Sequence, residues 1–173
     1  MKTILAICGS TRQNSINLEL LYIIADLFKN QIILKIFTQI TDLPHFNPDF
    51  DNENPPLNVS EFRDLLRTSN AILICTPEYA MGVTGTLKNA LDWTVSSMEF
   101  SHKPTSLITA STSGEKSHSA LLEVLKVIES NIDEYTQILI SVPRTKIKNG
   151  IITDGKTYED VKTLMTHLIQ KIG

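Results

Sequence analysis

The sequence Ile-Leu-Ala-Ile-Cys-Gly-Ser-Thr-Arg-Gln-Asn-Ser-Ile-Asn-Leu-Glu-Leu-Leu occupies residues 4–21 and contains three segments of different character. The first, Ile4 to Cys8, is a continuous apolar run that stops abruptly at Gly9. Small and polar residues follow, and apolar residues return with helical spacing from Leu18. An apolar run without alternation is typical of a strand buried on both faces, as in a parallel sheet covered by helices. The stretch therefore predicts a buried strand, a loop and a helix.

The loop between this strand and helix is rich in groups that bind anions. The first turn of a helix leaves backbone N–H groups unpaired and carries the positive end of the helix dipole. The hydroxyl groups of Ser10, Thr11 and Ser15 fall in the same region, and Arg12 can add a bidentate contact. We interpret the loop as a phosphate site. The alternative, that these are ordinary loop and capping residues, stays open from this loop alone.

Length, charge and composition narrow the class of protein. A chain of 173 residues suits a single domain, residues 1–173. The net charge of -3 argues against nucleic-acid binding, and no apolar stretch approaches the ~20 residues of a membrane span. The apolar run near the N-terminus is too short for a signal peptide, so we expect a cytoplasmic protein. Cys8 and Cys75 are interpreted as core residues, and the scattered histidines predict no metal site.

Apolar periodicity divides the chain into alternating strands and helices. The predicted strands are residues 4–8, 31–37, 71–75, 106–109 and 137–142. The predicted helices are residues 15–29, 60–67 with Ser60 as the cap, 86–97, one bearing Leu121 to Ile128, and 158–172. Four prolines make residues 41–57 a long surface excursion. Arg144, Lys146 and Lys148 are interpreted as solvated charges in a polar turn.

This alternation predicts an α/β fold, a doubly wound five-stranded parallel sheet with helices on both faces. In the flavodoxin-like strand order 2-1-3-4-5, ligands bind beyond the carboxyl ends of the strands, where the winding direction switches. The loops after the first, third and fourth strands emerge on that edge. We therefore expect residues 9–17, 77–82 and 111–117 to form the rim of one pocket.

A second motif fills residues 76–93, which read Thr-Pro-Glu-Tyr-Ala-Met-Gly-Val-Thr-Gly-Thr-Leu-Lys-Asn-Ala-Leu-Asp-Trp. The first loop matches the pattern Gly-Ser-x-Arg-x-x-Ser-x-Asn at residues 9–17, and the second contains Pro-Glu-Tyr followed by Leu-Lys-Asn-Ala-Leu-Asp-Trp. Together these motifs resemble the NAD(P)H-dependent FMN reductase family, which includes flavodoxin-like quinone, azo-dye and chromate reductases. The resemblance covers at least residues 3–114.

The resemblance implies an enzyme in which NADPH or NADH reduces bound FMN, and a quinone, azo compound, free flavin or metal oxyanion takes the electrons. It also implies a homodimer or homotetramer with flavin sites near the subunit interface. No catalytic side chain is implied, because the flavin carries the chemistry. The residues matched to the FMN phosphate site are Gly9, Ser10, Arg12, Ser15, Ile16 and Asn17. Those matched to the border of the isoalloxazine ring are Pro77, Glu78, Tyr79, Ala80 and Gly82, with Ser111 and Gly114 at its other edge.

The sequence departs from the family at two places. Members commonly have Asn-Gly after Pro-Glu-Tyr, where this chain has Ala80 and Met81. In the third loop, Glu115 would repel a phosphate-bearing nicotinamide nucleotide, whereas Lys116 would attract one. The hydride donor and the acceptor therefore stay open.

Two other functions stay open beside the reductase. One is a flavodoxin-type electron carrier, against which the Arg12-bearing loop and the modest net charge count. The other is an FMN-binding regulatory protein without turnover. A low-molecular-weight phosphatase is rejected, because Cys8 and Arg12 are too close in sequence to surround a phosphate.

Individual side chains carry weaker signals. Tyr79, in a loop at the pocket edge, is predicted to lie beside the ring, and Trp93, among apolar helix neighbours, to pack in the core. His118 is predicted to be partly exposed near a helix start. Two interpretations, covering the flavin of a neighbouring subunit or packing locally, stay open for Phe46, Phe50 and Phe100.

Overall fold

A computed structural model describes residues 1–173 and contains the predicted parallel sheet. Its strands are β1 (Lys2–Cys8), β2 (Ile32–Phe37), β3 (Ala71–Thr76), β4 (Thr105–Ser111) and β5 (Gln137–Ser141). They pair in the order β2-β1-β3-β4-β5, and every pairing is parallel. The helices are α1 (Ile16–Leu27), α2 (Leu57–Thr68), α3 (Gly85–Asp92), α4 (Glu115–Val127), α5 (Pro143–Lys146) and α6 (Gly155–Ile172). The flavodoxin-like strand order is confirmed.

Alternate residues of β1 pack into two separate apolar clusters, one on each face of the sheet. Ile4, Ala6 and Cys8 pack with α1 and α6, whereas Leu5 and Ile7 pack with α2, α3 and α4. A strand with apolar neighbours on both sides needs apolar residues at every position, which explains its unbroken apolar run. None of the helices combines the length and apolar character that crossing a membrane requires.

The predicted third loop, residues 110–117, is shorter in the structure. β4 continues to Ser111 and α4 begins at Glu115, which leaves only residues 112–114 between them. The backbone N–H of Ser117, in the first turn of α4, donates to the Glu78 carboxylate at 2.8 Å. A carboxylate from a different loop therefore caps this helix, so the sequence around its start contains no capping side chain that would reveal it.

Three predicted helix ends are wrong. α6 begins at Gly155 instead of Tyr158, because the Asp154 carboxylate caps it by accepting the N–H of Thr157 at 2.8 Å. α2 begins at Leu57 instead of after Ser60, because the Pro56 carbonyl accepts the N–H groups of Val59 and Ser60 at 2.9 and 3.0 Å. α3 ends at Asp92 instead of Ser97. The Trp93 carbonyl, which would continue the helix, accepts hydrogen bonds from the Arg63 guanidinium instead, at 2.8 and 2.5 Å.

The basic segment after β5 also differs from the predicted solvated turn. It folds as the one-turn helix α5 and a two-stranded antiparallel hairpin, β6 (Ile147–Lys148) and β7 (Ile151–Ile152). Arg144 in α5 and Lys148 in the hairpin are both exposed, as predicted, and Arg144 also lines the cavity described below.

The long excursion between β2 and α2 is attached through polar groups to α2 and to the segment that follows α3. Asp51 accepts hydrogen bonds from Arg63 at 2.6 Å and from Ser96 at 2.6 Å. The indole N–H of Trp93 donates to the Pro44 carbonyl at 2.8 Å, and the Trp93 side chain is fully buried, which confirms its predicted packing role. The excursion is therefore anchored to α2 and to residues 93–96, just after α3.

Candidate functional site

A cavity of about 250 Å³ opens at the carboxyl edge of the sheet, between the ends of β1, β3, β4 and β5. Nine of the thirteen predicted site residues line it: Ser10, Arg12, Ser15, Ile16, Asn17, Pro77, Glu78, Tyr79 and Ser111. The four that do not line it are Gly9, Ala80, Gly82 and Gly114. The three predicted loops therefore meet as expected, and a fourth segment joins them.

Two of the four predicted residues that do not line the cavity, Gly9 and Gly114, allow neighbouring segments to pack closely. A Cβ at Gly9 would lie 2.2 Å from Thr76 Oγ1, so this position must be glycine for β1 to lie against β3. Gly114 has a φ of 105°, and a Cβ there would lie 2.6 Å from Leu139 Cδ1. Both residues shape the rim without contacting its interior.

The first loop places an arginine side chain without an ion-pair partner beside the start of α1. Ser15 caps α1, its hydroxyl accepting the N–H of Leu18 at 3.4 Å. Asn17 is buried and its amide donates to the Ala110 carbonyl at 3.2 Å, so it joins α1 to β4. The Arg12 side chain is exposed and has no carboxylate or carbonyl partner. This combination is suited to an anionic group.

The carboxylate of Glu78 is engaged in hydrogen bonds within the protein. Its carboxylate accepts hydrogen bonds from the Ser113 hydroxyl at 2.9 Å and from the Ser117 backbone at 2.8 Å. The backbone hydrogen bond from Ser117 is the main cause that lowers the pKa of Glu78 below its ordinary value. Glu78 therefore remains ionised and connects the second loop to α4, while the backbone beside it borders the cavity.

The second loop contains a strained hairpin turn at Ala80 and Met81, where the sequence departs from the family pattern. Tyr79 and Gly82 exchange two backbone hydrogen bonds at 3.1 and 2.9 Å, and the residues between them, Ala80 and Met81, have φ values of 49° and 60°. Positive φ at both central positions is the geometry of the type I′ turn, in which Asn-Gly is preferred. The backbone of the turn therefore accounts for the usual Asn-Gly, and Ala80 and Met81 carry a conformational cost here.

Replacing Ala80 and Met81 together by Asn and Gly should stabilise the protein. Asn and Gly adopt the left-handed conformation at lower cost than Ala and Met, although glycine also increases the conformational entropy of the unfolded chain. We expect a net gain in the free energy of unfolding of about 1 kcal/mol. Urea unfolding measures the change. Met81→Leu is the matched control, because it keeps both the bulk and the positive φ and should give no gain. Equal or lower stability of the Asn-Gly variant would show that the turn is not strained.

Four lining residues lie outside the predicted rim: Ala110, Val142, Pro143 and Arg144. The last three follow β5, whose carboxyl end lies on the same edge as those of the other strands. The predicted strand order could have revealed these three residues, because the loop after the fifth strand also emerges at the carboxyl edge of the sheet. The basic composition of the segment instead favoured a solvated turn.

Other reactive side chains near the site are inert or engaged. Burial raises the pKa of Cys8, and more strongly that of Cys75, so neither is a thiolate nucleophile at neutral pH. The His118 ring contacts Thr109 at 2.9 Å and Gln137 at 3.1 Å. Burial lowers the pKa of His118, so its ring stays neutral to a lower pH than an ordinary histidine. No three His, Cys, Asp or Glu side chains converge as metal ligands.

A helix start with an unpaired arginine, placed at the switch point of a doubly wound sheet, is the binding geometry of a mononucleotide-binding α/β protein. The family model described as NADPH-dependent FMN reductase matches residues 2–133, and the chain belongs to this family. The family consists of oxidoreductases whose cofactor is FMN. The resemblance drawn from the two sequence motifs is thereby confirmed.

Individual relatives are similar over different shares of their length. A quinone reductase of Pseudomonas putida is 38% identical over 114 residues, which are 63% of this chain and 60% of that protein. The matched segment thus spans about 60% of the quinone reductase. An NADPH azoreductase of Bacillus sp. is 28% identical over 153 residues, 86% of this chain and 78% of that protein.

Solved structures share the whole fold. The flavoenzyme NAD(P)H:(acceptor) oxidoreductase FerB from Paracoccus denitrificans has a TM-score of 0.78 at 25% identity, covering 99% of this chain and 97% of that chain. An FMN-dependent NADH-azoreductase from Bacillus anthracis, solved in complex with FMN, has a TM-score of 0.60 at 13% identity, covering 99% of this chain and 98% of that chain. The second likeness shows the fold alone.

Proposed function

We propose that residues 1–173 form one FMN-binding domain, which uses NADPH or NADH to reduce a small acceptor such as a quinone, an azo compound, free flavin or a metal oxyanion. The observation that carries the proposal is the unpaired Arg12 beside the start of α1, facing the same cavity as Pro77 and Tyr79. One end of the cavity thus suits a phosphate and the other a flat ring. The likeness to quinone and azo-dye reductases supports the acceptor class.

Each loop has a separate task in this proposal. Ser10, Arg12 and Ser15 bind the phosphate of FMN, and Asn17 holds the first loop against β4. Pro77 and Tyr79 border the isoalloxazine ring, and Ser111 borders the opposite side. FMN, when bound, supplies the ring that accepts a hydride and passes the electrons on. No side chain of the cavity needs to act as an acid or base.

An exposed apolar surface beside the excursion supports a homodimer or homotetramer. Phe50, Val95 and Met98 are each more than half exposed, and Asp51 and Ser96 join their segments by a hydrogen bond. Such a patch is typical of a contact surface. Phe100 is fully buried and Phe46 packs edge-on against Trp93, so for these two residues the structure supports local packing. Phe50 is the remaining candidate to approach a neighbouring subunit.

The proposed function is tested by reconstitution and anaerobic reduction. Protein incubated with FMN and desalted should retain the flavin, lose its visible absorbance on mixing with NADPH or NADH, and regain it on addition of benzoquinone. Retained flavin that neither nucleotide bleaches would indicate an electron carrier or a regulatory protein. Failure to retain FMN would overturn the proposal.

A further inference from the structure

The turn after β5 is held firmly against the neighbouring strand. The backbone N–H of Val142 donates to the Ser111 carbonyl at 2.9 Å. The Val142 carbonyl in turn accepts the Thr145 backbone N–H at 3.0 Å and the Thr145 hydroxyl at 2.8 Å. Pro143, the first residue of α5, is buried. The backbone that carries Arg144 is therefore well ordered by its own contacts.

Val142 adopts a backbone conformation that is unfavourable for a β-branched residue. Its φ of 51° and ψ of 52° place it in the left-handed region. A strained residue of this kind persists only where the surrounding contacts over-determine it, and such residues cluster at binding sites. Here the strain ends β5 and begins α5, so that Val142, Pro143 and Arg144 all line the cavity.

The charges of the cavity are unbalanced. The chain has four arginines. Arg63 and Arg67 form ion pairs, whereas Arg12 and Arg144 have no carboxylate partner, and both of these line the cavity. The only carboxylate in the lining is Glu78, whose two oxygens accept hydrogen bonds from Ser113 and Ser117. Two unpaired guanidinium groups thus face one cavity, Arg12 from the loop after β1 and Arg144 from the turn after β5.

We propose that Arg144 is a second phosphate-binding arginine, which contacts a phosphate monoester in this cavity together with the loop that carries Arg12. A phosphate monoester carries a charge of about −1.5 to −2 at neutral pH, which one arginine does not neutralise. The inference rests on the proposed function. The monoester is either the 5′-phosphate of FMN or the 2′-phosphate that distinguishes NADPH from NADH.

The test compares ligands that differ only by the phosphate. Flavin fluorescence titrations of the apoprotein give the dissociation constants of FMN and of riboflavin, which lacks the phosphate. Arg144→Gln should weaken FMN binding about tenfold and leave riboflavin unchanged, as for the loss of one charged hydrogen bond. Lys148→Gln is the control, because it removes the same charge from an exposed position outside the cavity. Thermal unfolding checks that both variants are folded.

A second arm separates the two phosphate sources. If FMN binding is unchanged but the KM for NADPH rises with the KM for NADH unchanged, Arg144 contacts the nicotinamide nucleotide. Equal losses for FMN and riboflavin, the same loss in Lys148→Gln, or no change in either arm would overturn the proposal. A wild-type protein that binds FMN no better than riboflavin would contradict the proposed phosphate site itself. A wild-type preference that survives in Arg144→Gln, with both KM values unchanged, would contradict only the role of Arg144.

Discussion

Replacing Arg63 by methionine should lower the free energy of unfolding by about 3–5 kcal/mol, the range for breaking a buried ion pair from one side. The Arg63 and Asp51 side chains are only 5% and 10% exposed and lie 2.6 Å apart. Methionine would fill most of the volume but leave Asp51 charged without its guanidinium partner, and the Trp93 carbonyl would keep only the longer hydrogen bond from the Ser97 hydroxyl at 3.3 Å. Both the Asp51 carboxylate and the Trp93 carbonyl are poorly accessible to water, so water cannot replace the lost hydrogen bonds.

Urea unfolding of the variant gives the magnitude, and Lys29→Met provides the comparison. Lys29 pairs with Asp26, but these side chains are 65% and 75% exposed, so its loss should cost less than about 1 kcal/mol. The double variant Arg63→Met with Asp51→Asn should recover part of the stability, because it removes the uncompensated charge. A small effect of Arg63→Met, equal to that of Lys29→Met, would show that the pair does not hold the excursion.

The same pair should make stability depend on pH in the acid range. Burial by itself would raise the pKa of Asp51, but hydrogen bonds from Arg63 and Ser96 outweigh burial and hold the pKa below its ordinary value. A carboxyl with a lowered pKa in the folded state stabilises that state above its unfolded pKa of about 4, and this contribution is lost as the pH falls through the folded pKa. Asp51→Asn should therefore flatten the acid limb of the stability curve.

Replacing Arg12 by alanine should weaken FMN binding by about 1.5–3 kcal/mol, the value of a hydrogen bond to a charged group. Arg12 makes no ion pair and its side chain is exposed, so the substitution leaves no other group unpaired. Stability of the apoprotein should stay within about 0.5 kcal/mol of wild type. The change in affinity therefore reports on the ligand contact.

Riboflavin distinguishes a phosphate contact from a general disturbance of the site. Arg12→Ala should leave riboflavin affinity unchanged, since riboflavin has the ring but no phosphate. Arg12→Lys keeps the charge but loses the bidentate geometry and should fall between wild type and alanine. Unchanged FMN affinity in Arg12→Ala would remove Arg12 from its proposed role.

The features that sequence patterns predicted are those that depend on neighbours along the chain. The unbroken apolar run of β1 follows from a local rule, and the alternation of strand and helix patterns led to the strand order and to three rim loops. The nine predicted residues that line the cavity came from the resemblance to the family. Ser60 is a local signal that was wrong, because Pro56 upstream began α2 earlier. Strand periodicity and turn chemistry were sufficient for the fold and for three of the four loops.

Contacts between distant segments decided the remainder. The start of α4 depends on Glu78, 39 residues before Ser117, and the end of α3 depends on Arg63, 30 residues before Trp93. Arg144 looked like an ordinary surface charge until β4 and β5 were paired and the Val142 turn brought it to the cavity. Hydrogen bonds and free charges between such segments exist only after the chain has folded, so no local pattern encodes them.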